Sequence, residues 1–175
     1  MDAQVRKDLA SVGAAGQPGV GYRLQDLTAR LRAAMGLDQS WKAVLVGAGN
    51  IGRALLAYPR FAEEGFEIVA VFDRSPRVAG RKVAGHAVQP MTSLTEGVRR
   101  SGAQLAIVAV PPDEAQQVAE ALVRAGVRGV LNFAPTPLKL AASVPVVAVD
   151  FTEALERLAF EITSRPPGNA RGRSA

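Results

Sequence analysis

At 175 residues, 48% of them apolar, the chain is long enough for one ordinary domain with a small appendage, and it can bury a real core. It has no cysteine, which excludes disulfides, thiolate metal sites and cysteine catalysis, and it has no apolar run long enough to cross a bilayer, so a soluble cytoplasmic protein without a membrane partner is expected. The net charge of +5 does not by itself indicate a nucleic-acid partner, because most of the excess lies in residues 164–175, where Arg165, Arg171 and Arg173 face no acid.

The first predicted element is a short helix over residues 1–10, with Val5 and Leu9 at i, i+4 and Gln4, Arg6 and Lys7 off that stripe. The glycine-rich run Gly13 to Tyr22 predicts a hairpin or wing. Leu24, Leu27, Leu31 and Met35 mark the face of a helix that Gly36 is placed to end. From Trp41 strand and helix alternate. Strand 41–46 leads to helix 50–61, and strand 66–72 leads to a polar loop, 74–82, and a short apolar piece near His86 to Val88. Helix 93–101 precedes strand 104–110, Pro111-Pro112 starts helix 113–125, and strands 127–132 and 144–149 follow. Nearly continuous apolar strands predict a parallel sheet covered on both faces. The last helix runs from Phe151 to Thr163, with Asp150 as its cap and Glu153 as a reciprocal capping-box partner. Its stripe of Phe151, Leu155, Leu158, Ala159 and Ile162 could dock on its own sheet or reach a partner subunit. Ser164 to Ala175, rich in Pro, Gly and Arg, is expected to be disordered.

The chain is organised around Trp41 to Asp73. Ala43-Val44-Leu45-Val46, then Gly47-Ala48-Gly49-Asn50-Ile51-Gly52, a helix, and Ile68-Val69-Ala70-Val71-Phe72 ending in Asp73 form a dinucleotide-binding fingerprint in the context it needs. Gly47 permits a tight turn, Gly49 lets backbone approach a pyrophosphate, and Gly52 lets helix pack on strand. The helix N-terminus presents N–H groups to phosphate. Asp73, 21 residues after Gly52, can accept from the adenosine ribose hydroxyls. Arg74 and Ser75 follow it, and in some folds such residues hold a 2′-phosphate. Asp73 would repel that dianion, so NAD(H) is favoured over NADP(H).

Ligands in such a sheet bind beyond the carboxyl ends of the strands. The loops there hold Val110-Pro111-Pro112, Asn132-Phe133-Ala134-Pro135 and Asp150-Phe151 besides the glycine turn and Asp73. No His, Lys or Cys stands among them to shuttle protons or attack, so no catalytic residue is assigned. The sole histidine, His86, reads as a solvated loop residue. No metal ligand set is recognised. After the last strand only one helix and a tail remain, with no room for a substrate module, so the chain reads as built to bind a dinucleotide without turning it over. Tyr58, before Pro59, either packs or bonds a carboxylate such as Asp150.

These residues carry a family resemblance. Gln4-Val5-Arg6-Lys7-Asp8-Leu9, the wing Gly13…Gly16…Gly19-Val20-Gly21-Tyr22, Val46 to Gly52, Ala57-Tyr58-Pro59, Phe72-Asp73, Leu131 to Pro135 and Val149-Asp150-Phe151 resemble the Rex redox-sensing transcriptional repressors of bacteria. The resemblance spans about residues 3 to 163. It implies a homodimer that binds operator DNA through a winged helix, senses the NADH/NAD⁺ ratio through a Rossmann domain and exchanges a C-terminal helix between subunits. NADH would release the DNA. The implied fold is α/β, a Rossmann-like doubly wound parallel sheet preceded by a partial winged helix and followed by a C-terminal dimerisation helix. Residues 1–40 would be the partial winged helix, 41–149 the NAD(H)-binding domain, 150–163 the exchanged helix and 164–175 the tail.

Carried over by position, Gly47, Ala48, Gly49, Asn50, Ile51 and Gly52 would hold the pyrophosphate and Asp73 the ribose. Val110 and Pro111 would border the cofactor, and Asn132, Phe133 and Pro135 the nicotinamide side. Phe151 would enter the partner's nicotinamide pocket. Tyr58 and Asp150 would belong to the switch, and Gln4, Arg6 and Lys7 would meet bases and phosphates. Members of this family normally begin with further helices ahead of the Gln4 run. If the chain starts at Met1, operator binding is expected to be weakened or lost. Ser75 stands where relatives often have an acid or amide.

Overall fold

The computed structural model describes residues 3–11, 13, 21–36 and 38–164. The side chains of Gln4 and Arg6, the interior of the expected wing and the expected tail beyond Ser164 lie outside the described residues.

Two helices lead in, α1 (Ala3–Ser11) and α2 (Leu24–Ala34). Gly36, at φ +67°, ends α2 as expected. The Trp41 indole N–H donates to the Gly36 carbonyl at 2.6 Å, and Arg32 lies 3.9 Å from Glu64. These contacts seat α2 at the amino ends of the strands. No residue of α2 is fully buried; Leu27 and Leu31 of its apolar stripe are half-buried, while Leu24 and the capping residue Met35 are exposed.

The body is a seven-stranded sheet: β1 (Trp41–Val46), β2 (Phe66–Asp73), β3 (Lys82–Val83), β4 (His86–Pro90), β5 (Leu105–Val108), β6 (Gly129–Asn132) and β7 (Val146–Ala148). Their order is β3-β4-β2-β1-β5-β6-β7, parallel throughout except for the β3–β4 hairpin. The connecting helices are α3 (Asn50–Leu56), α4 (Arg60–Glu63), α5 (Leu94–Ser101), after a 3₁₀ turn at Met91–Ser93, and α6 (Pro112–Ala125). The chain runs outward from β1 through β2 and β4, then returns to build β5, β6 and β7 on the other side. The order reverses at β1, with a crevice between β1 and β5, where open α/β sheets bind ligands.

Three expectations are corrected. The helix expected over 50–61 stops at Leu56 and resumes as α4, because Pro59 cannot continue an α-helix and biases Tyr58 away from helical geometry. His86 opens β4, half-buried, and is not a loop residue. The sheet is also not covered evenly on both faces. Val44, Val46, Phe72, Ala106, Val108 and Val130 pack under α5 and α6. On the other face α3 and α4 are too short to reach β6 and β7. An apolar cleft of about 470 Å³ remains there, lined by Tyr58, Phe61, Phe66, Ile68, Ile107, Leu131 and Val147 among others.

The last helix, α7 (Phe151–Ser164), is exposed along its whole length. Phe151, Leu155, Leu158 and Ile162 are 53–67% accessible, so the stripe does not dock on its own sheet. Asp150 caps the helix as expected, its Oδ1 accepting from the backbone N–H of Thr152 at 2.8 Å and of Glu153 at 3.3 Å.

Candidate functional site

Register brings the site residues to one edge. Phe72 pairs with Val46, Val46 with Val108, Val108 with Asn132, and Asn132 with Ala148. One further backbone bond continues each ladder: Gly47 N–H to Phe72 O, Ala109 N–H to Val46 O, Phe133 N–H to Val108 O and Val149 N–H to Asn132 O, each 2.8 Å. The glycine turn, Asp73 and the loops after β5, β6 and β7 therefore leave the sheet side by side.

The glycines do what the fingerprint requires. Gly47 has φ +97°, and a Cβ there would run into the carbonyl of Ala109. Gly52 is buried, and a Cβ there would run into the Gly47 carbonyl. Gly49 is extended, and a Cβ there would meet nothing within 4 Å. That open space lies in a cleft of about 350 Å³ lined by Gly47, Ala48, Gly49, Asn50, Arg53, Asp73, Ser75, Val110, Pro111 and Glu114 with their neighbours. The volume is ordinary for a small-molecule site. The first intrahelical bond of α3 is Arg53 N–H to Gly49 O at 2.9 Å, which leaves the N–H groups of its first turn for a ligand. The cradle therefore fits a dinucleotide diphosphate. Among the expected residues, the cleft gathers Gly47, Ala48, Gly49, Asn50, Asp73, Val110 and Pro111. Gly52 lies beneath it as a packing residue, and Ile51 is exposed beside it.

Asp73 has a role within the chain that its position in the sequence does not reveal. Its Oδ2 accepts from the Ala48 N–H at 2.7 Å and its Oδ1 from the Ser75 N–H at 2.7 Å. The carboxylate latches the glycine turn to the end of β2. Arg53 reinforces the turn by donating from Nε to the Ala48 carbonyl at 3.1 Å. Across the cleft Arg74 Nη1 stands 2.8 Å from Glu114 Oε1, a buried oxygen with no hydrogen bond of good geometry. Arg53 and Glu114 were not singled out from sequence. The only signals were an arginine following the last glycine and an acid in the first turn after Pro111-Pro112.

The loop after β6 forms a separate group. Asn132 is buried and its amide is satisfied within the loop, Nδ2 donating to Ala134 O (3.1 Å) and Thr136 O (2.8 Å) and Oδ1 accepting from Ala134 N–H (3.0 Å). Asn132 therefore shapes the turn that presents Phe133 and Pro135. The ring of Phe151 lies 6.3 Å from that of Phe133 in the same chain. Tyr58 does not meet Asp150. It packs edge-on against Phe61, centroids 5.3 Å apart, in the apolar cleft among residues near the amino ends of the strands, whereas Asp150 follows their carboxyl ends. Lys7 is exposed on α1. No helix among the described residues is long and apolar enough to cross a membrane.

Residues 38–136 match the protein-family profile described as a CoA binding domain. The redox-sensing transcriptional repressor Rex of Carboxydothermus hydrogenoformans is 48% identical over 160 residues, which cover 91% of this chain and 77% of that protein. The chain belongs to the Rex family of redox-sensing transcriptional repressors. Among solved structures, the Rex-family repressor RSP in complex with β-NAD⁺ and operator DNA superposes with a TM-score of 0.85 at 32% identity, covering 92% of this chain and 74% of that one. RSP in complex with β-NADH gives 0.78 at 30% identity over 92% and 75%. The superposition is closer to the NAD⁺- and DNA-bound Rex protein, and the Rossmann-like sheet with its C-terminal helix matches that Rex structure.

Proposed function

We propose that this chain is a redox-sensing transcriptional repressor that binds operator DNA and releases it when NADH replaces NAD⁺. The observation that carries the proposal is 48% identity to a Rex repressor over 91% of the chain, joined to a glycine cradle at the β1/β5 crevice. In this reading residues 1–40 contribute to DNA contact through Gln4, Arg6 and Lys7. Residues 41–149 hold NAD(H), 150–163 join two subunits, and 164–175 form a tail.

Gly47 to Gly52 grip the pyrophosphate, Asp73 orders that grip and borders the ribose, and Val110 and Pro111 line the far wall. Phe133, Pro135 and Phe151 form the nicotinamide end, with Asn132 bracing their loop. An apolar surround penalises the planar nicotinamide cation of NAD⁺ and tolerates the neutral ring of NADH. Discrimination therefore belongs at this end, because both ligands share the adenosine and pyrophosphate.

The homodimer has physical support on both sides. The exposed stripe of α7 and the apolar cleft over β5 to β7 are complementary in chemistry, and a second copy would cover both. Tyr58 and Asp150, at opposite ends of the strands in one chain, would act together in a switch only across that interface. In this reading the chain acts as a regulator, as the repressors it is similar to are named, and its partners are DNA, NAD(H) and a second copy in the cytoplasm. The test is titration of NADH and NAD⁺ into a complex of the chain with Rex operator DNA, read by fluorescence anisotropy at fixed salt. Release by NADH and retention under NAD⁺ is expected. Equal response to both, or steady oxidation of NADH by a carbonyl compound, would refute the reading.

A further inference from the structure

The loop that follows β6, residues 133–145, carries no helix or strand, yet it presents Phe133 and Pro135. Its first part is tied by Asn132, whose side-chain amide reaches Ala134 and Thr136. Its last part turns back through Val144 N–H to Ala141 O at 2.9 Å. Between them, residues 137–140 make no backbone–backbone hydrogen bond among the described residues. One side chain supplies what the backbone lacks. Gln116 Nε2 donates to the Lys139 carbonyl at 2.8 Å, and the Lys139 N–H donates to Gln116 Oε1 at 2.9 Å. The amide thus pairs with Lys139 as a neighbouring strand would, using one donor and one acceptor.

Gln116 stands on firm ground. It lies in α6, whose Ala115, Val118, Ala119 and Leu122 are buried in the core. Its Nε2 also donates to Glu120 Oε1, one turn on, at 2.8 Å, which fixes the side chain's direction. Leu138 and Leu140, on either side of Lys139, pack against the same core. Such packing holds a loop down without direction, whereas a pair of opposed hydrogen bonds sets which residue meets α6. α6 starts at Pro112, and Pro111 and Glu114 line the nucleotide cleft. The same helix therefore borders the cleft at its start and pins the β6 loop one turn later.

We propose that Gln116 is a positioning residue for the nicotinamide end of the site. It holds the loop in the arrangement that presents Phe133 and Pro135 to the ring, and it ties that arrangement to the wall of the nucleotide cleft. The inference rests on the proposed function, which places nicotinamide at these residues. Gln116 touches no ligand in this reading. It sets the fraction of chains whose loop is ready for the ring. A loop ready only a tenth of the time weakens apparent affinity for the nicotinamide part about tenfold and leaves the adenosine and pyrophosphate contacts as they were.

The test compares NADH with ADP-ribose, which keeps the adenosine and pyrophosphate and lacks nicotinamide. Both are titrated calorimetrically into the full chain and into Gln116→Ala. The substitution is expected to lower the ratio of NADH to ADP-ribose affinity on the order of tenfold. A merely structural role would weaken both ligands alike or neither, and either result overturns the inference. By linkage, bound nicotinamide must in turn steady the pinned loop. In the unaltered chain, saturating NADH should therefore slow hydrogen exchange at the Lys139 amide more than saturating ADP-ribose does. Equal exchange in the two complexes overturns the inference even where Gln116→Ala fails to fold. Failure of the unaltered chain to bind NADH overturns the proposed function and this inference with it.

Discussion

Replacing Asp73 by Asn separates the latch from the proposed ribose contact. As a ribose acceptor alone, Asp73 would matter only when nucleotide is bound. As the latch seen here, it accepts two backbone N–H bonds at 2.7 Å, from Ala48 and Ser75, in a half-buried position. Asparagine is nearly isosteric but keeps one acceptor; its amide nitrogen must face one of those N–H groups and cannot accept from it. One hydrogen bond to a charged group is lost and one donor is left facing another, a cost of about 2 kcal/mol. For a domain of this size that corresponds to a fall in melting temperature of about 4–8 °C, without ligand. Differential scanning fluorimetry of the nucleotide-free protein reads the latch, and NADH titration reads the grip on nucleotide. Unchanged melting of ligand-free Asp73→Asn, with weakened NADH binding, would refute the latch and return Asp73 to a purely ligand-facing role.

Gly47→Ala should abolish NADH binding and destabilise the fold by more than about 2 kcal/mol, since its Cβ would meet the Ala109 carbonyl at a φ of +97°; denaturant melts and calorimetry check both. Asn132→Ala removes three hydrogen bonds from a buried turn and should cost about 2–3 kcal/mol in urea unfolding. Asp150→Ala should lose about 1 kcal/mol of capping and blunt NADH-induced release from operator DNA, while direct NADH affinity changes little. Leu155→Ser/Leu158→Ser, at positions 66% and 53% exposed in one chain, should raise the dimer dissociation constant on the order of a thousandfold in sedimentation equilibrium if α7 is buried between subunits.

The nucleotide end of this molecule was legible because its chemistry is local. Gly47, Gly49, Gly52 and Asp73 occupy fixed offsets around a strand-turn-helix, and no long-range contact is needed to infer their backbone duties. Element boundaries were less legible where local signals compete. The apolar residues up to Phe61 continue the helical period, yet Pro59 breaks it. The duty of Asn132 could not be read, since its partners are carbonyls and an N–H of its own loop, and one-dimensional sequence does not say where an amide points. Coverage of the sheet was misjudged for a related reason. Ile68, Ile107 and Leu131 look like strand residues buried on both sides. Only the shortness of α3 and α4 shows that one face stays open on the β5 to β7 side.

That open face and the exposed α7 bear on how a sensor of this architecture would transmit its signal. A ligand shifts an equilibrium only by its differential affinity for the two states, and a swing from mostly bound to mostly released DNA requires roughly 5 kcal/mol. The adenosine and pyrophosphate contacts are common to NADH and NAD⁺ and contribute nothing to that difference. Phe133 touches the first residue of α7, and Asp150 both ends the β7 segment and caps that helix. Under the proposed function, a change in how well the β6 loop accommodates the nicotinamide ring would therefore be felt at the start of α7, whose apolar stripe stays exposed in its own chain. In that reading, burying exposed side chains of α7 such as Phe151, Leu155, Leu158 and Ile162, at roughly 1.5–3 kcal/mol for each fully buried, would carry several kcal/mol between two dimer arrangements. Under the proposed function the coupling would thus belong in an interface made by α7, with the glycine cradle fixing where the ligand sits.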